Sequence, residues 1–331
     1  MRNYAPRVFI KKDITMARLT ALLSLLLTSS DAMRVTVVGG SGFVGSRVCK
    51  SLAQSGAEVT SVSRSGQAPD WASGEAWTNG VTWAKADLLG DAGAIDAAMG
   101  SPEAVVSCVG VVDPDAEVLR SGNGAANVNA FASAKRAGVK RSVYVSVASE
   151  VAACEENWLP FAKDEFAAYF AGKRMAEEAA ADAVGGDATK LCVIKPTFIY
   201  GGDSFALPLP GKFVAPRVSA AYGAGVEEVL SLDLVQKLAD ALPGLIKVAL
   251  RPPVSADAVA AACANAALGE LVRGDATRRA VGTLEGTVAI NGAAGALTPT
   301  TLADGIDRAL DRLGDETEKL IKAFNDKLDG K

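Results

Sequence analysis

The chain contains no histidine among its 331 residues. That absence excludes Ser-His-Asp and Cys-His nucleophilic chemistry and the usual histidine-rich metal sites, so any proton transfer falls to tyrosine, lysine, a carboxylate or water. Cysteine is scarce. Cys49, Cys108, Cys154, Cys192 and Cys263 are odd in number, scattered, and include no C-x-x-C pair. This usage points to reduced thiols in a reducing compartment, not to a disulfide framework or a zinc site. A basic face is missing too: net charge is -4 with acidic and basic residues interleaved, so no basic face recommends a nucleic-acid partner and none is expected. The apolar stretch Leu19 to Leu27 has nine residues, too few to span a bilayer, and there is no internal repeat.

What is present supports a large core. Hydrophobic residues make up 49% of the chain and charged residues 22%, enough for one core or for a core with a smaller lobe. Residues 1–32 read as an address excluded from the fold. Arg2, Arg7, Lys11, Lys12 and Arg18 against Asp13 and Asp31 suit an organelle presequence, while Leu19 to Leu27 suits the apolar part of a signal peptide. Met16 and Met33 are alternative starts. The expected location is an organelle, with the mitochondrion ahead of the chloroplast.

The stretch Val35 to Val48, VTVVGGSGFVGSRV, organises the rest. A buried strand breaks into Gly39, Gly40, Gly42 and Gly45 at the start of an amphipathic helix. Gly39 supplies the turn, Gly42 lets a pyrophosphate approach the main chain, and Gly45 lets the helix lie close on the strand. Ser41, Phe43 and Val44 complete this dinucleotide-binding turn. Strands are expected at Arg34 to Val38, Glu58 to Ser63, Val81 to Lys85, Ala104 to Val109, Ser142 to Val147 and Leu191 to Ile194. Helices are expected at Phe43 to Gln54, Ala92 to Met99, Asn123 to Ala137 and Phe161 to Ala183. Such alternation predicts an α/β fold, a doubly wound parallel sheet of the Rossmann kind.

That domain is expected over residues 33–200. A lobe rich in Gly, Pro and aromatics follows over 201–297, interwoven with the core, with Gly201 to Gly225 built as loop and a helix at Ala256 to Leu268 capped by Ser255. Terminal helices over 298–331 are expected from Thr300 to Lys327, with Thr298 as cap and Pro299 opening the first turn.

The second strand ends at Ser63-Arg64-Ser65, where a site for NAD(H) would carry a carboxylate for the ribose hydroxyls. A cation among hydroxyls suits a 2′-phosphate, which favours NADP(H) over NAD(H). Asp87 and Leu88 stand where a side chain could meet the adenine edge, and Cys108, Val109 and Gly110 would run beside the cofactor. Tyr169 and Lys173 lie four apart on one helical face, where a tyrosine exchanges a proton if the ammonium lowers its pKa and the lysine holds the nicotinamide ribose. The serine that would steady a substrate oxygen is Ser146 or Ser149, while the preferred register places Ala148 at that spot. Lys195, Pro196 and Thr197, with Tyr200 and Gly201, would border the nicotinamide.

With VVGGSGFVGS, GVKRSVYVS, YFAGK and VIKPTFIYGG in place, the chain resembles the atypical or extended short-chain dehydrogenase/reductases over Arg34 to Leu268. VTSVSRSGQAP, VTWAKADLL, YFAGKRMAEE and LRPPVSADAVAAA are similar to one branch of that family. The branch holds a yeast mitochondrial protein of coenzyme Q biosynthesis, chloroplast relatives in plants and the nucleotide-binding accessory subunit of respiratory complex I. The resemblance implies an NAD(P)-binding organellar protein of quinone metabolism or of a respiratory complex, in a branch whose catalytic residues are often degenerate. Two functions follow as expectations. One is an NADP(H)-dependent oxidoreductase acting on a small apolar substrate, a quinone or isoprenoid. The other is a non-catalytic, cofactor-loaded accessory or assembly subunit docked on an organellar complex.

Overall fold

The computed structural model describes residues 32–154, 163–202, 218–269 and 282–295. Parallel strands β1 (Arg34–Val38), β2 (Glu58–Ser63), β3 (Val81–Lys85), β4 (Ala104–Ser107), β5 (Arg141–Val145) and β6 (Leu191–Lys195) form the main sheet. A short pair, β7 (Ile199–Tyr200) and β8 (Val254–Ser255), stands apart, and β9 (Thr283–Glu285) returns to the sheet beside β6. Spatial order is β3-β2-β1-β4-β5-β6-β9. The chain therefore winds one way from β1 and the other way from β4, and the switch point falls where Val35–Val38 pair with Ala104–Ser107. These runs of Val and Ile are buried on both faces, which is why they read as short continuous apolar segments.

Helices cover both faces. They are α1 (Gly45–Gln54), α2 (Ala92–Met99), α3 (Ala116–Arg120), α4 (Ala126–Ala137), α5 (Ser149–Ala152), α6 (Lys163–Asp182), α7 (Ala220–Leu230), α8 (Asp233–Ala241), α9 (Gly244–Ala249), α10 (Ala256–Leu268) and α11 (Gly286–Ala294). On one face Val38, Val105, Tyr144 and Val193 pack with Ile95 of α2, Phe131 of α4 and Ala176 of α6. Strand side chains alternate, so the neighbours of those residues face the opposite layer, where α10 packs on α1 and on β4, β5 and β6. α10 is mostly alanine, so its axis can approach the sheet closely. It ends at Gly269, whose φ of 76° is left-handed and whose missing Cβ leaves room for the Arg141 guanidinium.

Most expected elements are present with short shifts at their ends. β4 and β5 stop at Ser107 and Val145, not at Val109 and Val147, and each is prolonged by a single ladder-type bond: Cys108 N–H to Val38 O at 2.9 Å and Ser146 N–H to Ile194 O at 2.8 Å. Past Val38 the partner strand has turned away at Gly39. Past Lys195 the partner is Pro196, which has no N–H and only accepts, from Ala148 N–H at 2.9 Å. The helix expected from Asn123 opens instead as a π-type turn, Ser121–Ala125, where Gly124 lies against Gly172 of α6. Part of the loop expected over Gly201 to Gly225 is helical: Ser219 caps α7, its hydroxyl accepting from Tyr222 N–H. The expected helix from Thr300 to Lys327 lies outside the described residues.

Ser255 caps α10 as expected, its hydroxyl accepting from Ala258 N–H at 3.0 Å. Replacing it with alanine should lower stability by about 1 kcal/mol, seen as a lower urea midpoint at unchanged m-value, and Ser255→Asp should recover most of the loss.

Candidate dinucleotide and proton-transfer site

The turn after β1 meets the end of β4 at the carboxyl edge of the sheet. Gly39 has φ 78°, and a side chain there would press on the main chain at Cys108 and Val109, 3.3 Å away. A Cβ on Gly45 would overlap the Gly39 carbonyl, and one on Gly40 would overlap the Ser61 hydroxyl. These glycines hold α1 against the sheet. Its N-terminus has no side-chain cap and no acidic residue in the first turn. By contrast Asp91, Asp115, Ser219 and Ser255 cap α2, α3, α7 and α10. The Ser46 and Arg47 N–H groups go to Gly42 O and Val44 O, so what this helix end offers an anion is the positive end of its dipole and the close main-chain approach that the glycines allow, and these fit a pyrophosphate.

Hydroxyls line the end of β2. Ser41 Oγ lies 2.9 Å from Ser63 Oγ and donates to Gln67 O at 2.5 Å, while Ser63 Oγ accepts from Gly66 N–H at 3.1 Å and lies 3.2 Å from Ser65 Oγ. Arg64 is exposed beside this cluster. Asp87 is exposed and accepts from Leu89 N–H at 3.0 Å, available at the rim. Leu88 differs from expectation: its side chain is buried in the core with Ile95 and Met99, and only its carbonyl faces outward, to Asn129.

Tyr169 and Lys173 share one face of α6. The Lys173 ammonium donates to Val145 O at 3.2 Å, at the end of β5, and lies 5.1 Å from the centre of the Tyr144 ring and 5.7 Å from that of Tyr169. Gly110 is exposed across from it, and a Cβ there would stand 3.5 Å from Lys173 Nζ and 3.5 Å from Asn123 Oδ1. The path of the chain beyond β4 is set by two asparagines that the sequence reading did not single out. Asn123 accepts from Val111 N–H and donates to Val111 O and Leu119 O, and Asn127 donates to Val109 O and accepts from the Ser107 hydroxyl. Their signal was the i, i+4 spacing of two amides on one helical face.

Burial dominates the electrostatics. It pushes the Tyr169 phenol up to about 12, so the lowering expected from Lys173 is not what the structure shows, and Tyr169 is protonated at neutral pH. Burial also pulls the Lys173 ammonium down to about 8, opposed by the nearby Cys108 and Glu177. Glu177, one turn beyond Lys173, was also missed. It accepts from the Ser146 hydroxyl at 2.5 Å and pairs with Lys195 at 2.8 Å, linking the ends of β5 and β6. Ser149 starts α5 and gives both its N–H and its hydroxyl to Glu285, at 2.6 and 3.0 Å. Both candidate serines are therefore turned to carboxylates. Ala148 is buried, as are Pro196 and Tyr200, and Thr197 donates to Pro252 O at 2.8 Å.

Residues 35–236 match the NAD dependent epimerase/dehydratase family. The chain belongs to that family. It is 31% identical over 274 residues to an uncharacterized chloroplastic protein of Arabidopsis thaliana, covering 80% of this chain and 84% of the other. A 58-residue stretch is 42% identical to MIOREX complex component 2 of Saccharomyces cerevisiae, covering 17% of this chain and 21% of that protein. Among solved structures it is similar to the UDP-Glc/GlcNAc 4-epimerase of Campylobacter jejuni, with 14% identity, TM-score 0.48, and 70% and 73% of the two chains covered. Family membership accords with the resemblance to extended short-chain dehydrogenases, and with a nicotinamide dinucleotide as cofactor.

The buried lysine carries a measurable penalty. Its folded-state value near 8 lies below the usual 10.5, so the folded chain holds this proton more weakly than the unfolded chain does. Lys173→Met should therefore stabilise the protein at pH 7, by up to about 3 kcal/mol. The wild type gains stability as pH rises from 8 to 10.5, and the gap to the variant should close over that window in thermal melts.

Proposed function

We propose that the chain is an NADP(H)-dependent reductase of a small apolar carbonyl compound, a quinone or an isoprenoid, working in an organelle. The observation that carries this reading is the placement of Tyr169 and Lys173 on one face of α6, with the Lys173 ammonium across from Gly110 in the segment that follows β4. When bound, the dinucleotide supplies the hydride. The amides of the Gly39 to Gly45 turn, with Ser41, Phe43 and Val44, hold its pyrophosphate. Ser63, Ser65 and Arg64 take the 2′-phosphate, Asp87 reaches the adenine rim, and Cys108, Val109, Gly110 and Pro196 border the nicotinamide half. Lys173 holds the ribose hydroxyls.

Tyr169 is the proton donor. A phenol held near 12 keeps its proton at neutral pH and can pass it to a strongly basic oxygen, such as the alkoxide or enolate that develops during reduction. One side of it is apolar: it packs against a cluster that includes Val147, Ala148, Val151, Phe170 and Val248. With Ala148 where a serine would stand, the substrate oxygen meets one donor, which suits an apolar ligand. The chloroplastic relative and the basic character of residues 1–32 support an organellar setting.

A second reading is a dinucleotide-loaded accessory subunit that docks on an organellar complex. It is favoured by Ala148 and by the engagement of Ser146 and Ser149 with carboxylates, and it accords with the likeness to a MIOREX complex component. Oxidation of NADPH by short-chain quinones separates the two. An enzyme should lose at least about a hundredfold in turnover in Tyr169→Phe with unchanged NADPH affinity, whereas no turnover in the wild type would leave the subunit. Arg64→Ala should weaken NADPH about tenfold with little effect on NADH. Equal weakening of both would remove the 2′-phosphate assignment.

A further inference from the structure

Arg47 lies in the first turn of α1, where a cation opposes the helix dipole and no acidic residue of that turn offsets it. Its side chain is held on several sides all the same. Nη1 donates to Phe43 O at 2.8 Å, and Nη2 donates to Gly201 O at 2.8 Å, across 154 positions of chain. Nε lies 3.3 Å from a carboxylate oxygen of Asp257, in the first turn of α10. The guanidinium carbon stands 4.7 Å from the centre of the Phe43 ring and 5.1 Å from that of Trp71, in the short 3-10 turn Asp70–Ala72. Only 12% of the Arg47 side chain is exposed.

These contacts differ in weight. The Asp257 side chain is 84% exposed, so water competes for the ion pair and little stability comes from it. The two carbonyls are another matter. A guanidinium is a rigid planar fork, so its two terminal nitrogens hold two acceptors at a set separation, which a single ammonium on a flexible stem does not. One acceptor, Phe43 O, belongs to the turn between β1 and α1, and the Phe43 ring lies under the same cation. The other, Gly201 O, follows β7 directly. Gly201 has φ 117°, in the region that side chains disfavour. Val218 O accepts from Gly201 N–H at 3.0 Å and from Gly202 N–H at 3.1 Å, and a Cβ on Gly201 would stand 3.6 Å from Ala256 at the start of α10. The Gly201 peptide is thus seated by groups outside the turn, and Arg47 carries that position to Phe43.

We propose that Arg47 is a positioning residue that ties the dinucleotide turn to the chain at Gly201, so that the grip on the pyrophosphate and the border of the nicotinamide half keep a fixed separation. The role rests on the reading of the turn given under the proposed function, with Tyr200 and Gly201 beside the nicotinamide. It explains why a cation is kept in the first turn of α1 against the helix dipole: its hydrogen bonds are spent on joining two segments and not on the helix. It also makes a specific demand. A ligand that occupies the turn alone gains nothing from the link, whereas a ligand that reaches from the turn to Gly201 binds best when the separation is already set.

The test measures, by titration calorimetry on the full chain, the binding of NADPH and of adenosine 5′-diphosphate 2′-phosphate, a fragment that keeps the 2′-phosphate and both phosphates of the bridge and lacks the nicotinamide half. Arg47→Met keeps the apolar stem and loses the fork; it should weaken NADPH about tenfold and leave the fragment within about twofold of the wild type. Arg47→Lys keeps the charge and should not restore the loss. Gly201→Ala disfavours the backbone conformation that presents the carbonyl and should weaken NADPH by a similar factor. The double variant Arg47→Met with Gly201→Ala should be no weaker than the worse single one, because both remove the same link. Equal losses for NADPH and the fragment would make Arg47 a support of the turn alone, rescue by lysine would make it a charge partner of the phosphates, and additive losses in the double variant would separate it from Gly201. Each of these outcomes overturns the proposal and leaves the reading of the turn standing. Wild-type protein that binds neither NADPH nor the fragment overturns that reading, and this role with it.

Discussion

The structure depends on one steric fact: there is no room for a side chain where α1 crosses the end of β1. The Gly45 Cα sits against the Gly39 carbonyl, and Gly40 sits against Ser61 and Cys49. This closeness seats the uncapped end of α1 over the carboxyl edge of the sheet, at the switch point between β1 and β4. Everything proposed for the site is measured from there. The hydroxyls at the end of β2, the β4 segment with Gly110, and the α6 face with Tyr169 and Lys173 are arranged around that helix end.

At the α6 face a second constraint operates, the competition between burial and charge. A lysine kept out of water loses part of its basicity, and a phenol kept out of water loses its acidity. The result is a cation that is easily discharged and a tyrosine that keeps its proton. Glu177 moderates this at Lys173, and Glu177 and Glu285 hold both serines that might have completed the site. Glu177 and Glu285 thus do for Ser146 and Ser149 what a substrate oxygen would do elsewhere. The apolar side of Tyr169 is the consequence, and with it the substrate chemistry proposed above.

Much of this was legible in the sequence because the signals are local. β1, β2 and β3 are bounded by turn residues and by a period that changes abruptly, so their limits could be read residue by residue, as could α2 and α10 with its Ser255 cap. The ends of β4 and β5 were read too long because pairing stops where the partner strand bends or reaches Pro196, a fact of the neighbour and not of the strand itself. β9 has three residues and no period to detect; only its pairing with β6 makes it a strand. In the site, Tyr169 and Lys173 were found by spacing. The roles of Asn123, Asn127 and Glu177 arise from contacts across 12 to 31 positions of chain, and the i, i+4 spacing of the two asparagines is the one local mark among them. The raised tyrosine is likewise a property of packing, which a spacing rule does not register.

The claim beneath all of this is that the turn between β1 and α1 grips a nicotinamide dinucleotide. Titration calorimetry of the folded, reduced protein with NADPH, and separately with NADH, addresses it directly. The account predicts heat that saturates at one dinucleotide per chain, with the tighter binding for NADPH. A protein with the circular dichroism of an intact α/β fold that gives no heat with either nucleotide would contradict it.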